Sequence, residues 1–463
     1  MRLLTARAPA FLASSLLAMA LVACDGVGEG SSPKSLELSK PSALLGKDKT
    51  FTCFRDRLLL KVVFTDGKFS SNFNSRAKWT SSRPDLLFVS NFGDKVPNQT
   101  TDLFFQQAGE LLPLKSSGGQ DVVITADAFG LKATYKLKVI DPTEIKVTAS
   151  GYGVDNATAI SIARESLQPL ALSAKLDGYI SDVTSGAESW SFDAASDAER
   201  EANAKIATFV ATAPNTILAS DATDGSLVAR PKLLACNADN PLLANAKIGV
   251  TVAQADSLIV EGEPDFGSAP GEIVVTTSEL LSVYAGFGGS AAKAQNLSSQ
   301  VGVESADATI LRPLLAGAVV SPTALTALKA GGPLAVTYSY GTADKNGKVT
   351  AAVSRSAVDE PTPVSIEVQP EATTIDALTF LQFHAIGTYA SGRTQDISRH
   401  LGWSSSDAAK VAIGEKTGRA VSITTARKED GSADPHQVTI TAHTGTSPDV
   451  GDSTVLNVEP PNP

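Results

Sequence analysis

The side chains best suited to acid–base, nucleophilic or metal chemistry are few in this chain and poorly spaced for it. All four histidines (His384, His400, His436 and His443) fall after residue 383 of 463. Ser-His-Asp and Cys-His catalysis need an imidazole held against a nucleophile, so the first four-fifths of the chain has no histidine base to offer. His384 and His443 occupy outward positions on strands expected in different sheets, which gives no shared zinc set. The 49 acidic residues must form some close pairs. Paired carboxylates can do general acid–base work, but in such numbers they read first as a solvated acidic surface. "SDATDGS" (220–226) and "KEDGSAD" (428–434) lack the alternating ligands of a calcium loop and read as hairpin turns. "GFGGS" (286–290) has no following lysine and opens no helix, so it is no phosphate cradle. The expectation is a protein with no catalytic residues, no metal site and no cofactor.

The three cysteines divide by position. Arg2 and Arg7 precede the apolar run "APAFLASSLLAMA", which is too short to span a bilayer and has the form of an export signal. It closes on "LVAC", with Leu21 and Ala23 before Cys24. This resembles the lipobox of bacterial lipoproteins, and the resemblance implies cleavage after residue 23 and lipid on Cys24. Asp25 resembles the inner-membrane retention signal of enterobacterial lipoproteins. Residues 24–33 read as a flexible tether. No later apolar run reaches membrane length, so the expected membrane partner is reached through lipid alone.

Charge is distributed unevenly. The whole chain carries a net −10, which argues against nucleic acid as a general partner. Residues 33–140 hold 16 Lys and Arg against 10 Asp and Glu, a net of +6. Residues 141–463 hold 21 against 37, a net of −16. The basic part adjoins the expected anchor, where anionic headgroups would attract it.

Positioning elements follow from a repeat. The chain has three tryptophans, Trp79, Trp190 and Trp403. Each follows a turn glycine (Gly67, Gly178 and Gly392) by 12, 12 and 11 residues. A degenerate fourth copy aligns "LSSQVGVESAD" (297–307) with "ISRHLGWSSSD" (397–407), so Val303 stands where Trp403 stands. Each copy opens on a short alternating strand: "SLELS" at 35, "EIKVTA" at 144, "SLIVEG" at 257 and "SIEVQP" at 365. A spacing of about 110 residues means tandem domains rather than a solenoid. Strict alternation, as in "LQFHAIGTYASG", is the period of a half-buried strand. Several such strands per copy, with turn signals between, read as a two-sheet sandwich with one tryptophan filling its core. The expected fold class is therefore all-β, with four tandem sandwiches after a signal peptide (1–23) and tether: 34–140, 141–255, 256–361 and 362–459. Residues 194–207 form an insertion in the second copy that reads as a short helix.

The Gly turn, Asp-x-Thr/Ser, Trp-Ser-Ser-x-Asp and the alternation after it resemble the bacterial immunoglobulin-like domain, group 2, of intimin- and invasin-type surface proteins. The last copy matches best and the third, without tryptophan, least. In such a sandwich, Cys53 follows the first strand and falls near the far end of copy one. Cys236 follows a strand returning to the near end of copy two. The arrangement predicts a disulfide between Cys53 and Cys236 across the first joint. The resemblance implies a lipid-anchored stalk or adhesive array in the cell envelope. Its partner would be an unidentified protein or polysaccharide, held by loops of the last copy such as 392–402 and 426–437. Four sandwiches in a row would reach on the order of 150 Å. A periplasmic scaffold for an envelope machine is the alternative.

Overall fold

A computed structural model describes residues 31–460, apart from 41–47, 98–103, 263–270, 315–322, 342–347 and a few shorter stretches. The signal segment and Cys24 lie outside the described residues. The architecture is essentially all-β and is organised in several discrete sheets. The chain divides into two compact units, Met1–Ile140 and Asp141–Pro463.

Alternation makes the strands. Along Asp121–Ala128, the residues Val122, Ile124, Ala126 and Ala128 are buried while their neighbours are not. Leu167–Leu176 follows the same rule, burying Gln168, Leu170, Leu172, Ala174 and Leu176. A period of two is the pleat itself, with one face on the core and one toward water.

One pairing scheme recurs four times. An opening strand pairs antiparallel with the next long strand, as Pro33–Ser39 does with Leu59–Phe64 and Ser365–Gln369 with His384–Thr388. A short second strand then crosses to the opposite sheet and pairs parallel with a closing strand. These second strands are Lys49–Phe51, Ala159–Ala163, Glu272–Val274 and Thr373–Asp376. Each copy thus ties both sheets together at its start. Among the described residues no sheet crosses from one copy to the next.

The insertion in the second copy is an α-helix, Asp197–Ile206. Ser196 caps it by accepting from the Glu199 backbone N–H, and the Glu199 carboxylate accepts from Ala195 N–H. This reciprocal box holds a helix end that has no buried residue to hold it.

Candidate functional site

The most repeated local geometry is the tryptophan station. In the first unit, Trp79 lies in Lys78–Ser81 and is 2% exposed. Its indole N–H donates to the Asn74 carbonyl at 2.9 Å. Trp403, in Gly402–Ser405, donates to the Ser398 carbonyl at 2.8 Å. Trp190, in Ser189–Phe192, is buried and packs on Phe209 with ring centroids 6.3 Å apart. Gly109 and Gly418, both with positive φ, lie so close that an added Cβ would fall about 3 Å from the rings of Trp79 and Trp403. Only glycine allows both that backbone and that approach.

The polar turn before each station has a structural task. Asn74, Thr184, Ser298 and Ser398 each turn a side-chain oxygen onto a backbone N–H of the neighbouring strand. The donors are Leu60, Leu172, Val283 and Ala385, all at 2.8 Å. In three copies the residue two before, Asp182, Asn296 or Asp396, accepts the N–H of that Thr or Ser. Asp-x-Ser/Thr is thus an Asx turn that aims a hydroxyl at an otherwise unpaired donor.

The third copy keeps its aromatic core by exchange across the strand pair. Trp79 stands opposite Ala126, Trp403 opposite Ala442 and Trp190 opposite Pro231. Val303 stands opposite Tyr338, which is completely buried. Facing residues share one face of a sheet, so the large and small partners have traded places. The sequence carried the signal. "ITA" at 124–126 and at 440–442 becomes "VTY" at 336–338.

Within the second unit the copies are joined by side chains. Gln295, fully buried, accepts from Ala163 N–H at 2.7 Å and donates to the Leu167 carbonyl at 3.1 Å. Gln300 holds both the N–H and the C=O of Leu167. Tyr340 donates to the Arg164 carbonyl at 2.5 Å. At the next joint, Arg393 bonds Glu272 and Glu360. Gln395 accepts from Val274 N–H and donates to Thr277 Oγ1, and His400 Nε2 accepts from Ser278 N–H at 3.1 Å. A cleft of about 430 Å³ lies there, lined by Val274, Thr277, Glu360, Tyr389, His400 and Thr444. Burial holds the His400 imidazole below its ordinary pKa; Arg399 and Lys416 act in the same direction and Asp396 opposes them.

A third contact joins the second and fourth copies. Tyr179 Oη donates to the Thr425 carbonyl at 2.7 Å and accepts from Arg427 Nε at 3.1 Å. Three copies that touch pairwise do not form a row, so the expected end-to-end extension is corrected for residues 141–463. The loops expected to be free are corrected too. In 392–402, Arg393, Gln395 and His400 are spent on the joint with the third copy, and in 426–437 Arg427 is spent on the second.

One cluster has the residue types of a hydrolase. His384 Nδ1 lies 2.6 Å from Asp396 Oδ2, and Ser398 Oγ lies 2.5 Å from Asp396 Oδ1. The Ser398 hydroxyl donates to the Asp396 carboxylate, so its proton is held by the acid that also bonds the imidazole. That hydroxyl is buried and already accepts from Ala385 N–H. A nucleophile needs the base on its own proton, and this order denies it. Among the described residues no group of three or more His, Cys, Asp or Glu could hold a metal, and no helix is long and apolar enough to cross a membrane.

Cys53 is buried and follows Lys49–Phe51, at the end of the first unit where Thr52 N–H bonds the Ile140 carbonyl. Cys236 lies just beyond Gly225–Lys232, its N–H bonded to the Leu233 carbonyl. Strand Gly225–Lys232 pairs there with Ser189, the start of the tryptophan strand.

No family model matches this chain, and no curated protein matches it in sequence. Solved structures that align with it do so at low identity. Domains 4–9 of the surface layer protein SbsC are 14% identical, with a TM-score of 0.22 over 92% of this chain. The protocadherin gamma B4 extracellular domain is 12% identical, with a TM-score of 0.17 over 89%. Mouse cadherin-23 EC22–24 is 11% identical, with a TM-score of 0.17 over 68% of this chain and 99% of that one. The chain spans 66% of the surface-layer fragment and 65% of the gamma B4 structure.

Proposed function

We propose that this is a non-enzymatic, lipid-anchored protein of the cell envelope. It is built of four immunoglobulin-like sandwiches of the group-2 type, over 34–140, 141–255, 256–361 and 362–459, and it displays a surface for a protein or polysaccharide ligand. The observation that carries the reading is the fourfold recurrence of one station: a polar turn side chain on a strand N–H, then an aromatic core pair, inside sheets that stay within each copy. Repetition of a scaffold, with its polar groups spent on turns and joints, suits presentation rather than catalysis. Acyl groups on Cys24 would supply the anchor. A Cys53–Cys236 disulfide would brace the first joint. Cys53 lies beside Thr52, which bonds Ile140 at the end of the first unit, and neither sulfur is a free thiol.

Asp25 favours a second reading, in which the same chain faces the periplasm as a scaffold for an envelope machine. Protease added to intact cells separates the two. Cleavage of residues 141–463 supports surface display, and protection until the outer layers are opened supports the scaffold. An unmodified Cys24 in the mass spectrum of membrane-fraction protein would overturn the anchor. Non-reduced peptides with Cys53 and Cys236 unlinked would overturn the brace.

A further inference from the structure

The end of the first unit where the chain arrives from its tether is both aromatic and basic. Thr65 exchanges hydrogen bonds with Ser32, so the turn after Leu59–Phe64 sits beside the incoming segment. Phe64 meets Phe73 at 6.2 Å between centroids, and Phe73 meets Phe129 at 5.5 Å. Phe129 occupies the tip of the hairpin between Asp121–Ala128 and Leu131–Ile140 and is 49% exposed. Phe69, beside the first turn, is 63% exposed. Packing explains Phe64 but not two phenylalanines at turn tips. Cations surround them: Lys61 Nζ lies 4.5 Å from the Phe69 centroid, and Arg76 5.4 Å from that of Phe73. Lys34, Lys68 and Lys132 are exposed at the same end. Its acids are Glu37 and Asp127, paired with Lys61 and Lys132, and Asp66.

We propose that this end is a membrane-docking surface that seats on an anionic phospholipid bilayer. Phe69 and Phe129 enter the interfacial layer, and Lys34, Lys68 and Arg76 meet the headgroup phosphates. The inference rests on the reading of Cys24 as the anchor, since the nine residues 24–32 reach at most about 30 Å. One acyl-bearing residue and a basic patch together make a two-signal attachment, in which exposed aromatics add burial and each cation adds attraction. The rest of the chain is acidic, so general charge cannot produce the same effect.

The test uses the mature chain, residues 25–463, made without acyl groups, and sedimentation with vesicles of phosphatidylcholine alone or mixed with phosphatidylglycerol. Binding is expected only to the mixed vesicles, weakening with salt. Lys68→Gln and Arg76→Gln should each lower partitioning roughly fivefold. Phe69→Ser should lower it without changing the melting temperature, while Lys205→Gln, on the helix of the other unit, should leave it unchanged. No binding, equal binding to both vesicles, or equal loss with Lys205→Gln overturns the proposal. An unmodified Cys24 in cells, with vesicle binding intact, would instead overturn the anchor and leave this surface standing.

Discussion

The exchange of Val303 and Tyr338 shows that the conserved quantity in these cores is paired volume across two strands, not the tryptophan alone. A core closed at crystal-like density accepts one large ring per facing pair. Val303→Trp should therefore overpack and destabilise by about 1–3 kcal/mol. Combined with Tyr338→Ala, it should recover much of that loss, read as a non-additive coupling in urea unfolding. Additive effects would show that the two side chains do not share one space. Tyr338 also buries a hydroxyl with no hydrogen-bond partner among the described residues, and burial beside Glu279 raises its pKa, keeping it neutral. Tyr338→Phe removes an unsatisfied polar group at nearly constant volume. It should raise stability by about 1 kcal/mol, and a lower melting temperature would contradict this account.

Turns and joints are where polar side chains do most of their structural work. The Asp-x-Ser/Thr signal was legible in sequence as a recurring turn, but its purpose, holding the neighbouring strand's N–H, needed the fold. The joint residues Gln295, Gln300, Arg393 and Gln395 were not legible at all, because nothing local marks a glutamine whose partners lie more than 100 residues away. His400 gives the joint of the third and fourth copies a pH dependence. Its partner is a backbone N–H, so only the neutral imidazole can accept. Around it stand Glu360, Thr277 and Thr444 in the cleft, with Arg399, Lys416 and Asp396 near by. With its pKa lowered in the closed joint, the open form binds more protons below about 6.5. The joint's stability is thus fully present above that pH and falls as pH drops toward the lowered value. Amide exchange at Ser278 should quicken between neutral pH and about pH 5, after correction for intrinsic rates. His400→Gln should flatten that extra dependence; an unchanged slope would remove His400 as its source.

At the scale of the whole second unit, the contact of Tyr179 with Thr425 and Arg427 holds the second copy to the fourth. It joins residues some 250 positions apart in sequence. Removing both hydrogen bonds with Tyr179→Phe and Arg427→Ala should cost roughly 2 kcal/mol of closure. The radius of gyration in solution scattering should rise, and amides of 423–427 should exchange faster. Unchanged scattering would mean that other contacts hold the second and fourth copies together. Opening this contact would uncover Arg427, near the start of the 426–437 loop expected to hold a ligand.

Strand identity, all-β class and the spacing of the copies were set by sequence alone, because alternation and turn glycines act over a few residues and repeat regardless of what surrounds them. The tryptophan stations belong to the same level, since a lone large aromatic after a polar turn has one place to go in a sandwich. Tertiary structure alone decided that the third copy's ring comes from the opposite strand, that a second strand crosses to bridge both sheets, and that the last copy folds back on the second. Each of these depends on which surfaces meet across long sequence distances, and that information is held in pairs of residues, not in any one stretch.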